Sequence, residues 1–319
     1  MPTPRRVIVD TDTAGDDAVA LLAACRSDRL TVDGVTVVAG NVPFDHQVEN
    51  AKFSLDLAGA ADVPVHEGAR GPLVKAFEHA TDVHGPRGLG TLDPEPTGIE
   101  SADAYAVDYI VETARESPGE VSLLAIGPLT NVALALVREP ALPDLLDEVW
   151  VMGGAVECRG NVTPAAEFNF WVDPDAARRV VREFDVHLVD WGLTLRDGLL
   201  DDDDLRRLYD NETEMARVFE AISEHVRAFT AETQGFDAAT SPDSLAAIAM
   251  LAPEVRESAT RQYVEVDERE GLTRGHSVVD PDGVLEADPR TTVLASIDHE
   301  RFVDCLDAMF DGEPPEAGL

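Results

Sequence analysis

Residues 6–26 read RVIVDTDTAGDDAVALLAACR, and the order of residue types there decides the fold class. Residues 6–10 are a short apolar run rich in β-branched side chains, the pattern of a buried strand. Residues 17–26 are largely apolar behind an acidic start, which predicts a helix. Asp10, Asp12, Asp16 and Asp17 cluster where the strand gives way to the helix. In open α/β sheets, ligands bind at such carboxyl ends of strands.

Working outward, the alternation repeats. Strands are expected at 31–38, 63–66, 121–126, 148–152 and 186–190. Helices are expected at 45–60, 102–116, 130–138 and 174–183. Strands alternating with helices imply βαβ units. The expected fold is therefore α/β, one domain over 1–319, with an open, mainly parallel sheet flanked by helices. Residues 85–98 (GPRGLGTLDPEPTG) have no periodicity and read as a mobile loop. Residues 201–251 read as mainly helical, with a last helix starting near Ser241-Pro242-Asp243. Short β runs at 262–266 and 291–295 and a helix from His299 close the chain. No internal repeat or linker divides it.

Charge excludes some partners. Lys+Arg total 25 against 62 Asp+Glu, a net of -37. Such a surface repels nucleic acid and anionic membranes. The acids are spread among well-patterned apolar segments, so the chain is not disordered. A surface adapted to concentrated salt is expected: at about 1 M salt the screening length is about 3 Å and self-repulsion is muted. No apolar run is long enough for a bilayer. Asp10 and Asp12 interrupt the apolar stretch after Arg5 and Arg6, so no signal peptide is read and a cytoplasmic location is expected. Cys25, Cys158 and Cys305 form no C-x-x-C pair and read as buried free thiols.

Four carboxylates this close repel one another if buried unpaired. A hard cation resolves the conflict, and calcium takes several carboxylate and carbonyl oxygens. On a strand, Asp10 and Asp12 share one face. An EF-hand is excluded, because its fifth and twelfth loop positions would be Ala14 and Leu21. A haloacid dehalogenase-like magnesium phosphatase also opens with Asp-x-Asp and stays open, although Lys52 and Lys75 are poorly placed for its lysine. A second constellation, 161–169 (NVTPAAEFN), sets Asn161, Glu167 and Asn169 where they can fork onto vicinal hydroxyls of a sugar. A third is Asp243, otherwise a plain helix cap. The acidic run 201–204 reads as a capped, solvated helix start. P-loop, G-x-S-x-G and H-E-x-x-H motifs are absent.

Together these pieces resemble the inosine-uridine type nucleoside hydrolases. The shared features are DTDTAGDD at 10–17, TVVAGN at 36–41, His84-Gly85, GPLTN at 127–131, MGG at 152–154, NVTPAAEFN at 161–169, DPDAA at 173–177 and TRG at 273–275. The resemblance covers nearly the whole chain in order and implies a Rossmann-like nucleoside hydrolase domain. It implies hydrolysis of a ribonucleoside, a small-molecule partner, to ribose and free base, with Ca2+ as cofactor. It makes Asp12, Asp17, the Ile126 carbonyl and Asp243 metal ligands. Asp12 doubles as general base for the water the metal holds. Asp16, Asn41, Asn161, Glu167 and Asn169 become ribose-binding groups, and Asp10 a support behind them. It also implies a homodimer or homotetramer. One departure stands out. Many members have His just before the late Asp, where it can protonate the departing base; here that place is Pro242. His84 and His225 are the alternative donors, and Trp171, Trp191, Phe229 and Phe236 the candidates for stacking on the base. Pro242 also motivates a non-catalytic sugar or nucleoside binder as an alternative.

Overall fold

The computed structural model describes residues 4–310. Nine strands form one sheet: β1 (Arg5–Thr11), β2 (Leu30–Val37), β3 (Val65–Glu67), β4 (Val121–Ala125), β5 (Val149–Met152), β6 (Val186–Val189), β7 (Arg256–Val266), β8 (Ser277–Asp280) and β9 (Thr291–Ile297). Their order is β3-β2-β1-β4-β5-β6-β9-β7-β8. All pairings from β3 to β9 are parallel; β7 runs antiparallel to both β9 and β8.

The helices are α1 (Asp16–Arg26), α2 (Phe44–Leu57), α3 (Thr81–His84), α4 (Ala106–Glu116), α5 (Thr130–Arg138), α6 (Leu142–Leu145), α7 (Phe168–Val172), α8 (Pro174–Glu183), α9 (Trp191–Asp197), α10 (Asp202–Tyr209), α11 (Glu214–Thr233), α12 (Pro242–Leu251) and α13 (His299–Phe310). One core cluster joins α1, α2, α11, α12 and α13 on one face of the sheet. A second joins α4, α5 and α8 on the other. The central strands are apolar throughout because helices cover both faces. α1 buries Asp16 through Ala24 continuously, lodged between the sheet, α2 and α12. None of the described helices is long and apolar enough to cross a membrane.

Strand order reverses between β1 and β4. Successive strands run outward to β2 and β3 on one side and to β5 and β6 on the other. A crevice therefore opens at the carboxyl ends of β1 and β4, where Asp12 and Ile126 lie.

Several expectations change. Residues 85–98 are not a mobile loop in their first half: Gly85, Gly88, Leu89 and Gly90 are buried. Asn50 Nδ2 donates to the Arg87 carbonyl at 2.8 Å, and the Gly88 carbonyl accepts from Gly15 N. β7 extends six residues earlier than expected and β8 was not expected. Both are partly exposed, so they lack the apolar alternation that marks a half-buried strand. The cysteines are unpaired but only half-buried. Burial still pushes the Cys25 and Cys158 thiols up to about 12 and Cys305 up to about 11. The 201–204 run does cap a helix, Asp201 and Asp204 forming a reciprocal capping box on α10.

Candidate active site

Asp12 leaves the end of β1 with no solvent exposure. Its Oδ2 accepts from Asn41 N at 2.8 Å, while Oδ1 is buried without a hydrogen-bond partner. Backbone closes around this carboxylate. A Cβ on Gly40 would collide with Asp12 Oδ2, and one on Gly127 would stand 2.8 Å from Oδ1. Asp17, in the first turn of α1, accepts from Thr11 Oγ1 at 2.6 Å, from Ala14 N at 3.1 Å and from the Asn41 amide at 3.1 Å. Asn41 thus ties Asp12 to Asp17 through two separate donors. Asp10 lies below. It accepts from Thr36 Oγ1 at 2.6 Å and the Asn131 amide at 2.8 Å. Asn131 also donates to the Val37 carbonyl, so the G-P-L-T-N segment braces β1 against β2.

Two distant segments complete the floor. Asp243 sits in the first turn of α12, and its backbone N donates to Asp16 Oδ2 at 2.8 Å. Glu167 caps α7: its carboxylate accepts from Gly154 N, Asn169 N and Phe170 N at 2.7–3.2 Å. Asn169 lies inside α7 rather than on alternating extended backbone, and its amide donates to the Ile126 carbonyl at 2.9 Å and to the Met152 carbonyl at 3.2 Å. Asn161 Oδ1 accepts from Phe168 N. The atoms expected to bind ribose are therefore also the atoms that cap α7 and tie it to Ile126 and Met152.

The electrostatics are strained in one direction. Burial raises every carboxylate of the floor: Asp10, Asp17 and Glu167 to about 7, and Asp16 to about 6. Asp12 and Asp243 rise furthest, by burial first and then by repulsion from Asp17 and Asp16 respectively. Among the described residues, no three acidic, His or Cys side chains close into a ready-made metal cluster. The expected set is three Asp and one carbonyl, with Asp12 Oδ1 left without a partner. That set fits a cation on two counts: an orphaned buried oxygen, and repelling carboxylates that positive charge would relieve. The Ile126 carbonyl has a second lone pair beyond the one Asn169 uses.

Above the floor an open cleft is lined by Asp16, Asn41, Ile126, Asn161, Glu167, Asn169 and Asp243. His84, Trp191, Val226, Phe229, Thr230 and Gln234 also line it. Of the aromatic candidates, Trp191 and Phe229 line it, while Trp171 and Phe236 do not. Pro242 lines it as well. His84 reaches it from α3, with Nδ1 buried and unpartnered; burial, then the neighbouring His225, lowers His84 to about 4. His225 is not a lining residue, and its Nε2 is buried and unpartnered. Sequence reading missed Val226, Thr230 and Gln234. Val226 and Thr230 share one face of α11 and Gln234 follows at the same four-residue spacing just past its end, a helical periodicity present in the sequence.

The sequence profile described as inosine-uridine preferring nucleoside hydrolase matches residues 7–304. The chain belongs to that family. Like other nucleoside hydrolases, it cleaves the N-glycosidic bond of ribonucleosides, and the phosphatase and idle-binder alternatives fall away. It is 37% identical over 303 residues to the pyrimidine-specific ribonucleoside hydrolase RihA of Enterobacter, covering 94% of this chain and 96% of the relative. It is 35% identical over 282 residues to a probable uridine nucleosidase of Oryza sativa, covering 88% and 83%. Among solved structures, a plant nucleoside hydrolase superposes with a TM-score of 0.89 at 29% identity, covering 97% of this chain and 99% of that one. A nucleoside hydrolase fold thus accounts for the parallel sheet and for the cleft at its carboxyl ends.

Proposed function

We propose that this nucleoside hydrolase is calcium-dependent and that it prefers pyrimidine ribonucleosides, uridine foremost. The metal reading is carried by the orphaned Asp12 Oδ1 among mutually repelling buried carboxylates. Asp12, Asp17, Asp243 and the Ile126 carbonyl would hold the ion, an all-oxygen set that suits a hard cation. Bound there, calcium would supply charge that orients the ribose hydroxyls and makes the attacking water more acidic.

The chain's own groups do the rest. Asp12 takes a proton from the water as it attacks the anomeric carbon. Asp16, Asn41, Asn161, Glu167 and Asn169 grip the ribose hydroxyls, their geometry set beforehand by their bonds to backbone and to one another. As the bond to the base stretches, positive charge develops on the sugar ring and the ring of carboxylates stabilises it. Pro242 cannot protonate the base. His84, neutral at pH 7, offers the departing base a hydrogen bond; the base leaves as an anion and takes its proton from solvent. The base lies between Trp191 and the Val226–Phe229–Thr230 face of α11.

The pyrimidine preference is supported by the relatives, whose names specify pyrimidine nucleosides or uridine. The test is ribose release in concentrated salt from uridine, cytidine, inosine and adenosine, with and without a chelator. Uridine should be cleaved fastest, a chelator should abolish turnover, and added calcium should restore it. Absence of ribose from every nucleoside would sink the function. Turnover indifferent to chelation would sink the metal. A preference for inosine would sink the base assignment.

A further inference from the structure

The segment 70–84 leads into the cleft, which Ala80, Val83 and His84 line, and each of its residues is at least partly exposed. Arg70 pairs with Asp45 and Glu67 and Phe77 packs on the core; the segment's other attachments are few. At one end Leu73 N donates to Asp173 Oδ2 at 2.8 Å. At the other, Ala80 N donates to the Asn41 carbonyl at 2.7 Å, and His79 Nδ1 lies 2.7 Å from the Gly40 carbonyl. Between them stands Lys75, one of only two lysines in the chain. Its Nζ donates to the Trp171 carbonyl at 2.7 Å and sits 3.4 Å from the centre of the Trp171 ring.

Trp171 belongs to α7, the helix that Glu167 caps and that carries Asn169. The same helix is braced from behind by the turn 273–275, whose role the reaction does not otherwise explain. Gly275, at φ 85, is so close that a Cβ would stand 3.0–3.2 Å from Ala166 Cβ, Trp171 Cα and the Phe170 carbonyl. Gly275 N donates to the Asp267 carbonyl at 2.7 Å, and Arg274 pairs with Asp175 at 2.7 Å. The ribose-side helix is held between a fixed brace and a single movable cation.

We propose that Lys75 is a positioning residue: it latches the 70–84 segment onto α7 through Trp171, so that the segment stays closed over a nucleoside gripped by Glu167 and Asn169. This rests on the ribose placement proposed above. A cation over an indole face is a favourable contact, and here the backbone carbonyl reinforces it. The segment has no buried core of its own, so losing this contact opens it cheaply. Burial, then Arg274, lowers Lys75 to about 8, against the opposing pull of Asp173 and Glu270. The latch should therefore loosen as pH rises through about 8.

The experiment compares wild type with Lys75→Met and Lys75→Arg, using uridine and the calcium-loaded protein. Lys75→Met should raise KM about tenfold with kcat within about twofold, the signature of lost uniform binding. Lys75→Arg, which can still stack and donate, should recover most of the loss. The wild-type KM should climb above about pH 8, and that climb should vanish in Lys75→Met. Trp171 fluorescence should change in Lys75→Met without a change in melting temperature. Unchanged KM in Lys75→Met, or an equal fall in kcat and stability, would overturn the latch. Asn169→Ala separates the two readings: if it is crippled while Lys75→Met is normal, the ribose placement survives and the latch does not. If Asn169→Ala is itself normal, the ribose placement fails and the latch fails with it.

Discussion

The floor and the roof of one cleft are built on opposite terms. Asp10, Asp12 and Asp17 on the floor are 0% exposed, and each is hydrogen-bonded to a strand end or a helix start. The roof is the half-exposed segment 70–84, held mainly by hydrogen bonds, the Arg70 ion pairs and the Lys75 contact with Trp171. Under the proposed function, ribose chemistry needs groups fixed before substrate arrives, which would explain why the floor crowds buried, hydrogen-bonded carboxylates although their charges repel. Admitting and releasing a nucleoside needs a part that opens at low cost, and marginal burial supplies it.

The largest expected effect breaks the floor. Asp12→Asn should lower kcat on the order of 10³-fold. The chelated variant should melt no lower than wild type, since one repelling charge has been removed. A kcat within tenfold of wild type would move the base elsewhere, and a steep fall in melting temperature would make Asp12 a structural residue.

A smaller effect tests the roof. His84 has a folded value of about 4 against an ordinary 6.5. The unfolded chain therefore binds the extra proton first as pH falls. The contribution is intact above about pH 6.5 and is lost as pH falls from there toward 4. Melting curves of wild type and His84→Asn across that window should diverge, wild type losing more. Parallel curves would mean that His84 is not held neutral.

The smallest effect concerns the surface around both regions. With a net charge of -37, the protein should melt lower at about 0.1 M salt than at about 2 M, because self-repulsion is then unscreened. The proposed metal site should instead respond to a stoichiometric cation. Calcium at about 100 times its Kd should add about 2.7 kcal/mol at either salt concentration. A melting temperature flat with salt would remove the case for a salt-adapted surface.

Legibility in the sequence followed burial on two faces. The central strands and α1 were readable because sheet and helices bury them continuously, and Asp12 and Asp17 were readable because they sit five residues apart beside that pattern. β8 and the early part of β7 were not, since exposed strands carry no alternation to read. α7 was missed because a five-residue helix has too few turns to show a period, and nothing local marks Glu167 as its cap.

By itself the sequence determined the parallel α/β class, the acidic string after the first strand and a side chain without a titratable proton at Pro242. Those depend on short-range order: period, spacing and the chemistry of single side chains. Only the tertiary structure decided that Asp243, 227 residues from Asp16, donates to it. It alone decided that Asn41 bridges two aspartates, and that Lys75 lies over Trp171. Such meetings are set by how α7, α12 and the roof segment pack around the β1–β4 crevice, and no local pattern encodes which distant residues the packing brings together.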